Sequence, residues 1–402
     1  MLRCAVATFA LALAACAHPS APPAPAADTE PPSDSSGDSS GDESGATPEL
    51  PPSQPEPTGH FVFTNARLPG GEAVAIEVRD GLIESVSSKP ADGVPELDLN
   101  GQTVVPGFID SHVHMVYHFG RDKLDKGAVT LSSGGVVGAV DLAAPIDTVA
   151  SFDGVRFLAA GPMITADAGY PTQSWGAAGY GLEVSGVPAA EQAVDAVAEA
   201  GAKVVKVPVD AGPALSDEEL AAVVARAHER GLLVAAHALG DAEAARAAAA
   251  GADVLAHTPL ETLSDATVEA WSGGAVVSTL RAFGSRDEAV DNVRRLHEAG
   301  TRVVYGTDLG NLRVEGIDGG ELLLLAQAGL SPADIVAAGT SGPAALWGMS
   351  TLGALEPGKA ATLLVLHDDP HEDPTVLAEP AAVYVDGVKA PPPSGLADGF
   401  GP

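Results

Sequence analysis

A chain of 402 residues that is 46% hydrophobic can bury a sizeable core, and its length suggests two or three domains. With 54 acidic against 21 basic side chains, a formal net charge of −33 argues against nucleic acid as a partner, because phosphates call for a basic face. The only cysteines, Cys4 and Cys16, lie at the N-terminus. A disulfide framework or Cys-rich zinc site is therefore excluded from the folded part, and any metal there must rest on His, carboxylate or a less usual ligand.

Residues 1–16 read as a targeting signal, with Arg3 as its basic start and Ala5 to Ala12 as a short apolar run, too short to span a membrane. Its Leu13-Ala14-Ala15-Cys16 ending resembles the lipobox of bacterial lipoproteins, which implies lipidation at Cys16. Ala17 after the cysteine suits sorting to the outer membrane, so the expected location is the bacterial cell envelope. Residues 17–58 are Pro, Ser, Asp, Gly, Glu and Ala without an apolar period, as in a disordered acidic tether.

Alternating strands are expected from about His60: Phe61 to Leu68, Ala75 to Arg79 and Leu82 to Val86, with Asp80-Gly81 as a hairpin turn. The same character returns in Ala361 to Leu366 and Ala382 to Gly387. Residues 59–105 and 350–391 are thus expected to build one small composite β-sandwich. Between them, residues 106–349 alternate β-branched runs with amphipathic helices. Ser216-Asp217-Glu218-Glu219 reads as a capping box, and Ser331-Pro332 opens a helix with its proline in the first turn. Eight strands are expected, ending at Val113, Asp141, Ile164, Val209, Ala238, Thr258, Leu280 and Asp308. That count in roughly 250 residues is the size of a (β/α)8 TIM-type barrel. An open doubly wound sheet is the alternative, weakened because no Gly-x-Gly-x-x-Gly follows the first strand.

In such a barrel, function collects at the C-terminal strand ends. Those ends carry His112 and His114, Lys206, His237, His257 and Asp308, each closing its own apolar run. His112 and His114, two apart on a strand, point to one side. A lysine facing the interior is costly unless paired or chemically altered. Lys203, three residues earlier, faces the other side of a regular strand. His228, His297, His367 and His371 fall on helix or loop patterns and read as surface residues.

This ordered set resembles the amidohydrolase superfamily over about residues 60–390, most closely its imidazolonepropionase-like and Xaa-Pro dipeptidase-like branch. The resemblance rests on Pro106 to His114, Gly201 to Val207, His237, His257, Gly306-Thr307-Asp308 and Gly353 to Lys359. It implies a two-metal centre, with zinc the expected ion. His112, His114 and Asp308 would hold one ion and His237 and His257 the other, while Lys206, carboxylated to a carbamate, would bridge both. A carbamate turns the amine into a bidentate anion, and two divalent ions roughly 3.5 to 4 Å apart activate one water and polarise a carbonyl. Asp308 would also shuttle the proton from a metal-bridging hydroxide to the leaving group.

The expected activity is hydrolysis of an amide or cyclic amide C–N bond in a small molecule of dipeptide or N-acyl amino acid type. The alternatives are a single-metal imidazolonepropionase-like hydrolase and a non-catalytic envelope binding lipoprotein. Candidate substrate contacts are Tyr170, where relatives often place Gly-Gly-His, Tyr117 and His118 after the first motif, and Arg281 and Arg313 for a carboxylate. Thr362 stands where the family usually has aspartate. A homo-oligomer is compatible with all of this.

Overall fold

The computed structural model describes residues 58–152, 156–210 and 212–393. The expected signal, Cys16 and nearly all of the expected tether lie outside the described residues. Among the described residues, no helix is long and apolar enough to cross a membrane.

The described chain opens with β1 (His60–Arg67), β2 (Ala73–Arg79), β3 (Leu82–Ser87), β4 (Glu96–Asp98) and β5 (Thr103–Pro106). Antiparallel β2 and β3 turn at Asp80 and Gly81, whose φ of 51° and 82° supply the positive dihedrals that a tight hairpin requires.

Parallel pairing follows. Strands β6 (Phe108–Val113), β7 (Val136–Asp141) and β8 (Phe157–Ala159) form one sheet, and β9 (Met163–Ala166) pairs with β10 (Gly181–Val184). Five more, β11 (Val204–Pro208), β12 (Leu233–His237), β13 (Val254–Leu255), β14 (Ala275–Val277) and β15 (Arg302–Val304), lie side by side in chain order. The expected third strand, ending at Ile164, is corrected to two pieces. Phe157–Ala159 stays with β7, then Gly161 at φ 75° and Pro162 divert the chain, and Met163–Ala166 leaves to pair with β10. A proline has no N–H to continue a ladder and glycine takes the turn without strain, so the apolar run cannot remain one strand.

Both edges of the five-stranded sheet are hydrogen-bonded to the three-stranded one. Lys203 N donates to Ala159 O at 3.1 Å, while Ser111 N donates to Tyr305 O at 2.9 Å and Asp308 N to His112 O at 2.8 Å. Alternation places Val204, Ala235, Val254, Ala275 and Val304 in one apolar cluster, and Val205, Val207, Val234 and Ala236 in another shared with the helices. Helix Val187–Glu199 shows why the outer layer packs: its Ala190, Ala193, Val194 and Val197 recur at helical spacing and are buried. Helix Asp217–Glu229 beside it buries Leu220, Val223, Val224 and Ala227, and starts at the expected capping box of Ser216 and Glu219. Leu220→Ala would cost about 2–5 kcal/mol of stability.

The chain then returns through β16 (Leu363–Leu366), β17 (Ala382–Val385) and β18 (Val388–Lys389). Antiparallel pairing of β16 with β5 joins the two chain ends in one eight-stranded sheet, ordered β18-β17-β16-β5-β1-β2-β3 with β4 beside β1. In a flat sheet β1 and β17, three strands apart, would lie about 14 Å from each other. The rings of Phe63 on β1 and Tyr384 on β17 are 4.8 Å apart, so the sheet rolls around its own apolar face. Thr362, at the sheet's junction with β6, is buried, and its hydroxyl accepts from Asp386 N.

Candidate metal centre

The first histidine is placed by a carboxylate. β6 is buried throughout, and its register against β7 slips between Asp110 and Val113. Asp110 Oδ1 accepts from the backbone N–H of His112 and of Thr307, both at 3.0 Å, and Oδ2 accepts from the Thr307 hydroxyl at 2.5 Å. Asp110 thereby ties the histidine-bearing strand to the segment carrying Asp308. That approach requires Gly306, since a Cβ there would lie 2.3 Å from Val277 and 3.2 Å from the His112 nitrogen. Desolvation raises the Asp110 pKa to about 7.

His112 Nδ1 lies 2.7 Å from the Ala256 carbonyl, which can only accept, so Nδ1 carries the proton and Nε2 keeps a free lone pair. That Nε2 is buried without a hydrogen-bond partner, 3.7 Å from Asp308 Oδ1. His114 Nε2 lies 3.1 Å from the same oxygen. These three residues each offer a donor atom, all within 4.8 Å of one another, a geometry able to hold a cation.

Asp308 has φ 58°, left-handed and uncommon outside glycine, and Asn311 Nδ2 donates to its Oδ1 at 3.1 Å and Oδ2 at 2.9 Å. The backbone turn and the amide together fix which way the carboxylate faces.

Across the five-stranded sheet, register sets the remaining donors. Lys206 pairs with Ala235 and Pro208 with His237, and Lys206 shares the inward parity of Val204. Lys206 is fully buried, and its Nζ has no hydrogen-bond partner. Burial lowers its pKa to about 7, opposed by the nearby charges of Asp308, Asp210 and Asp141. Lys203 is exposed and lines a cavity with Arg230 and Leu232, near where β11 and β12 begin. The two lysines therefore separate as their spacing requires.

His237 Nε2 lies 3.1 Å from Asp210 Oδ2. His257 Nδ1 is hydrogen-bonded to Thr279 Oγ1 at 3.1 Å; with Nδ1 as the donor, Nε2 keeps its lone pair for a metal. Thr279 has φ 41°, a strained value for a β-branched residue, and it is fully buried. The ring of His257 is 4.3 Å from that of His112 and 4.7 Å from that of His237, so imidazoles from three strand ends adjoin. Burial, reinforced by neighbouring cationic groups, pushes His112 and His257 well below the ordinary histidine range. Neutral imidazoles result, the form that binds metals.

The expected substrate contacts divide. Tyr170 stacks on His237 at 4.9 Å and 26°, and Tyr117 packs 5.2 Å from Trp175, whose ring lies 5.1 Å from His114. His118 instead binds Glu315 through Nε2 at 2.8 Å, Arg281 pairs with Asp318, and Arg313 is exposed. Asp110, Asp210, Thr279, Asn311 and Trp175 escaped the sequence reading. Asp110 lies within the first motif and Asp210 just past Lys206, so distance along the chain was a usable signal for these two. Nothing in the sequence marks Thr279.

Comparison with known proteins bears on this geometry. The model of the amidohydrolase family matches residues 103–389. An imidazolonepropionase of Salinispora arenicola is 28% identical over 350 residues, covering 74% of this chain and 86% of its own. An uncharacterized protein of Mycobacterium bovis is 26% identical over 359 residues, covering 80% and 93%. Among solved structures, a putative prolidase from Bifidobacterium longum superposes with a TM-score of 0.71 at 26% identity over 82% of this chain and 94% of that one. A Xaa-Pro dipeptidase with methionine bound shares the fold, with a TM-score of 0.70 at 22% identity over 82% and 99%. Such neighbours imply a TIM-type barrel with a second domain. The chain belongs to the amidohydrolase family and is a hydrolase acting on C–N bonds.

Proposed function

We propose that this hydrolase cleaves an amide or cyclic amide, of dipeptide or N-acyl amino acid type, at a two-metal centre inside a closed (β/α)8 barrel. His112, His114 and Asp308 would hold one divalent ion, His237 and His257 the other, with a carboxylated Lys206 between them. The observation that carries the reading is the buried, unpartnered Lys206 Nζ beside the adjoining imidazoles of three strand ends. An uncompensated ammonium there would be costly, whereas a lysine with its pKa lowered to about 7 has a substantial neutral fraction at neutral pH. The neutral nitrogen would add to carbon dioxide, forming an N–C bond and losing one proton, so that the neutral amine becomes an anionic ligand with two oxygens. Imidazole and carboxylate donors suit zinc.

When bound, the ions lower the pKa of water toward about 7 and polarise the scissile carbonyl. The remaining work falls to Asp308. Its Oδ1 faces His112 and His114, and Asn311 holds the carboxylate in that orientation. Asp308 takes the proton of the attacking water and hands it to the departing nitrogen, so C–O forms, C–N breaks and the amine leaves neutral. The Thr279 hydroxyl orients the His257 ring, and Asp210 lies beside His237.

A single-metal reading is favoured by one observation, that His112, His114 and Asp308 already make a three-donor set. Metal analysis separates the two: about two equivalents per chain, reduced by Lys206→Ala, supports the bridged pair. Screening zinc-, manganese- and cobalt-loaded protein against dipeptides, N-acyl amino acids and cyclic amides tests the activity, and absence of turnover with every class contradicts it. The Leu13 to Cys16 motif supports lipid anchoring in the bacterial envelope at Cys16, a proposal that fails if Cys16→Ser leaves membrane partitioning unchanged.

A further inference from the structure

Aromatic side chains are scarce in this chain, 4% of residues, yet they gather beside the candidate metal centre. Three of the five tyrosines, Tyr117, Tyr170 and Tyr180, and one of the three tryptophans, Trp175, form one group. The group is continuous with both sets of histidines, since Trp175 lies 5.1 Å from His114 and Tyr170 stacks on His237. Phe283 flanks the centre from another loop, its ring 4.8 Å from that of His257. Trp175 Nε1 donates to the Tyr170 hydroxyl at 2.9 Å, which satisfies the indole N–H and ties the two side chains together. Tyr117 is 45% exposed at the outer edge, an aromatic surface still uncovered.

Of the three basic side chains expected as substrate contacts, Arg281 is neutralised by Asp318 and His118 is held by Glu315. Arg313, exposed on the loop beyond Asp308, is left without an ion pair among the described residues.

We infer that the site selects an amide bearing a flat aromatic group, which lies against Tyr117, Tyr170 and Trp175, with Phe283 beside His257. This rests on the proposed metal centre, because the aromatic wall is specific only if the scissile carbonyl is held beside it. Rings stack offset or edge-on against such a wall, adding to the burial of their own apolar area. Hydrolysis would release the aromatic part as acid or amine, with water supplying the oxygen to carbon and a proton to nitrogen.

The test uses two chelating probes on the full-length, zinc-loaded protein, with affinities read by titration calorimetry. Acetohydroxamate reports the metal centre alone, and benzohydroxamate adds a phenyl ring. The expected result is benzohydroxamate binding at least roughly tenfold more tightly than acetohydroxamate. The ratio should fall to about threefold or less in both Tyr117→Ala and Trp175→Ala. Tyr117→Ala, at an exposed position, keeps the test meaningful if Trp175→Ala fails to fold. Acetohydroxamate binding with no gain from the ring overturns the aromatic assignment and leaves the metal centre standing. If acetohydroxamate does not bind, the metal centre falls and the assignment with it.

Discussion

Buried polar groups divide the molecule into two kinds of interior. In the rolled sheet built from both chain ends, Phe61, Phe63, Ile76, Leu363 and Tyr384 are buried together, and the buried polar side chains there include the hydroxyls of Thr64, Thr103 and Thr362. At the C-terminal ends of the parallel strands, the buried groups include Asp110, His112, His114, Asp141, Lys206, His237, His257 and Asp308. Among them, His112 Nε2, His114 Nδ1 and Lys206 Nζ have no hydrogen-bond partner. Leaving such atoms unpaired costs about 1–3 kcal/mol each, more when charged. One interior is arranged for packing, and the other gives up stability to keep donor atoms available.

That contrast can be tested by substitutions on each side. Lys206→Ala should have the largest effect, a loss of about 10⁴-fold in kcat/KM, on the order of 5 kcal/mol, with partial rescue by added short carboxylic acids. In metal-free protein the thermal midpoint should change little or rise, since a costly buried amine is removed; a large fall there would make Lys206 structural. Phe63→Ala is the counterpart in the rolled sheet, expected to cost about 3–5 kcal/mol in a denaturant titration. Its metal affinity, measured on the protein that remains folded, should be unchanged.

Smaller effects sharpen the comparison within the site. Thr279→Val removes the hydroxyl that orients His257 at nearly constant shape. Metal affinity should fall by about 10–100-fold in competition with a chromogenic chelator; an unchanged affinity would show that the strained Thr279 backbone serves another purpose. The smallest effect concerns Glu321, buried behind the loop that follows β14, where it accepts from the N–H groups of Leu280 and Arg281. Desolvation raises its pKa from 4.5 to about 7. Below pH 4.5 the folded and unfolded forms are both protonated. As pH rises toward 7 the unfolded chain ionises first, so this group's contribution to stability falls across that window. Glu321→Gln should gain on the wild type between pH 5 and pH 8 by about 1–2 kcal/mol in paired denaturant titrations; parallel curves would contradict the raised pKa.

The parts of the fold legible in sequence were those governed by local period and turn chemistry. Asp80-Gly81 announced a hairpin, Ser216 with Glu219 a capping box, and Ala361 to Leu366 a strand matching those at the other end. The third parallel strand was misread because Phe157 to Ile164 is one apolar run, and periodicity does not show that Gly161 and Pro162 send its second half to β10. The six donor candidates could be named because each closes its own apolar run. Their supports could not, because they arise from long-range contact. Asp110 and Thr307 are 197 residues apart, and His112 is oriented by a carbonyl 144 residues away. Arg281 illustrates the converse: in sequence it was a free cation after a strand, and in space Asp318 already holds it.

The most direct measurement is anomalous diffraction at the zinc edge from crystals of the metal-loaded protein. Two peaks roughly 3.5–4 Å apart are predicted, one beside His112, His114 and Asp308 and one beside His237 and His257, with density for a carboxylated Lys206 joining them. A single peak away from Lys206, or none within reach of the histidines, would contradict the two-metal account.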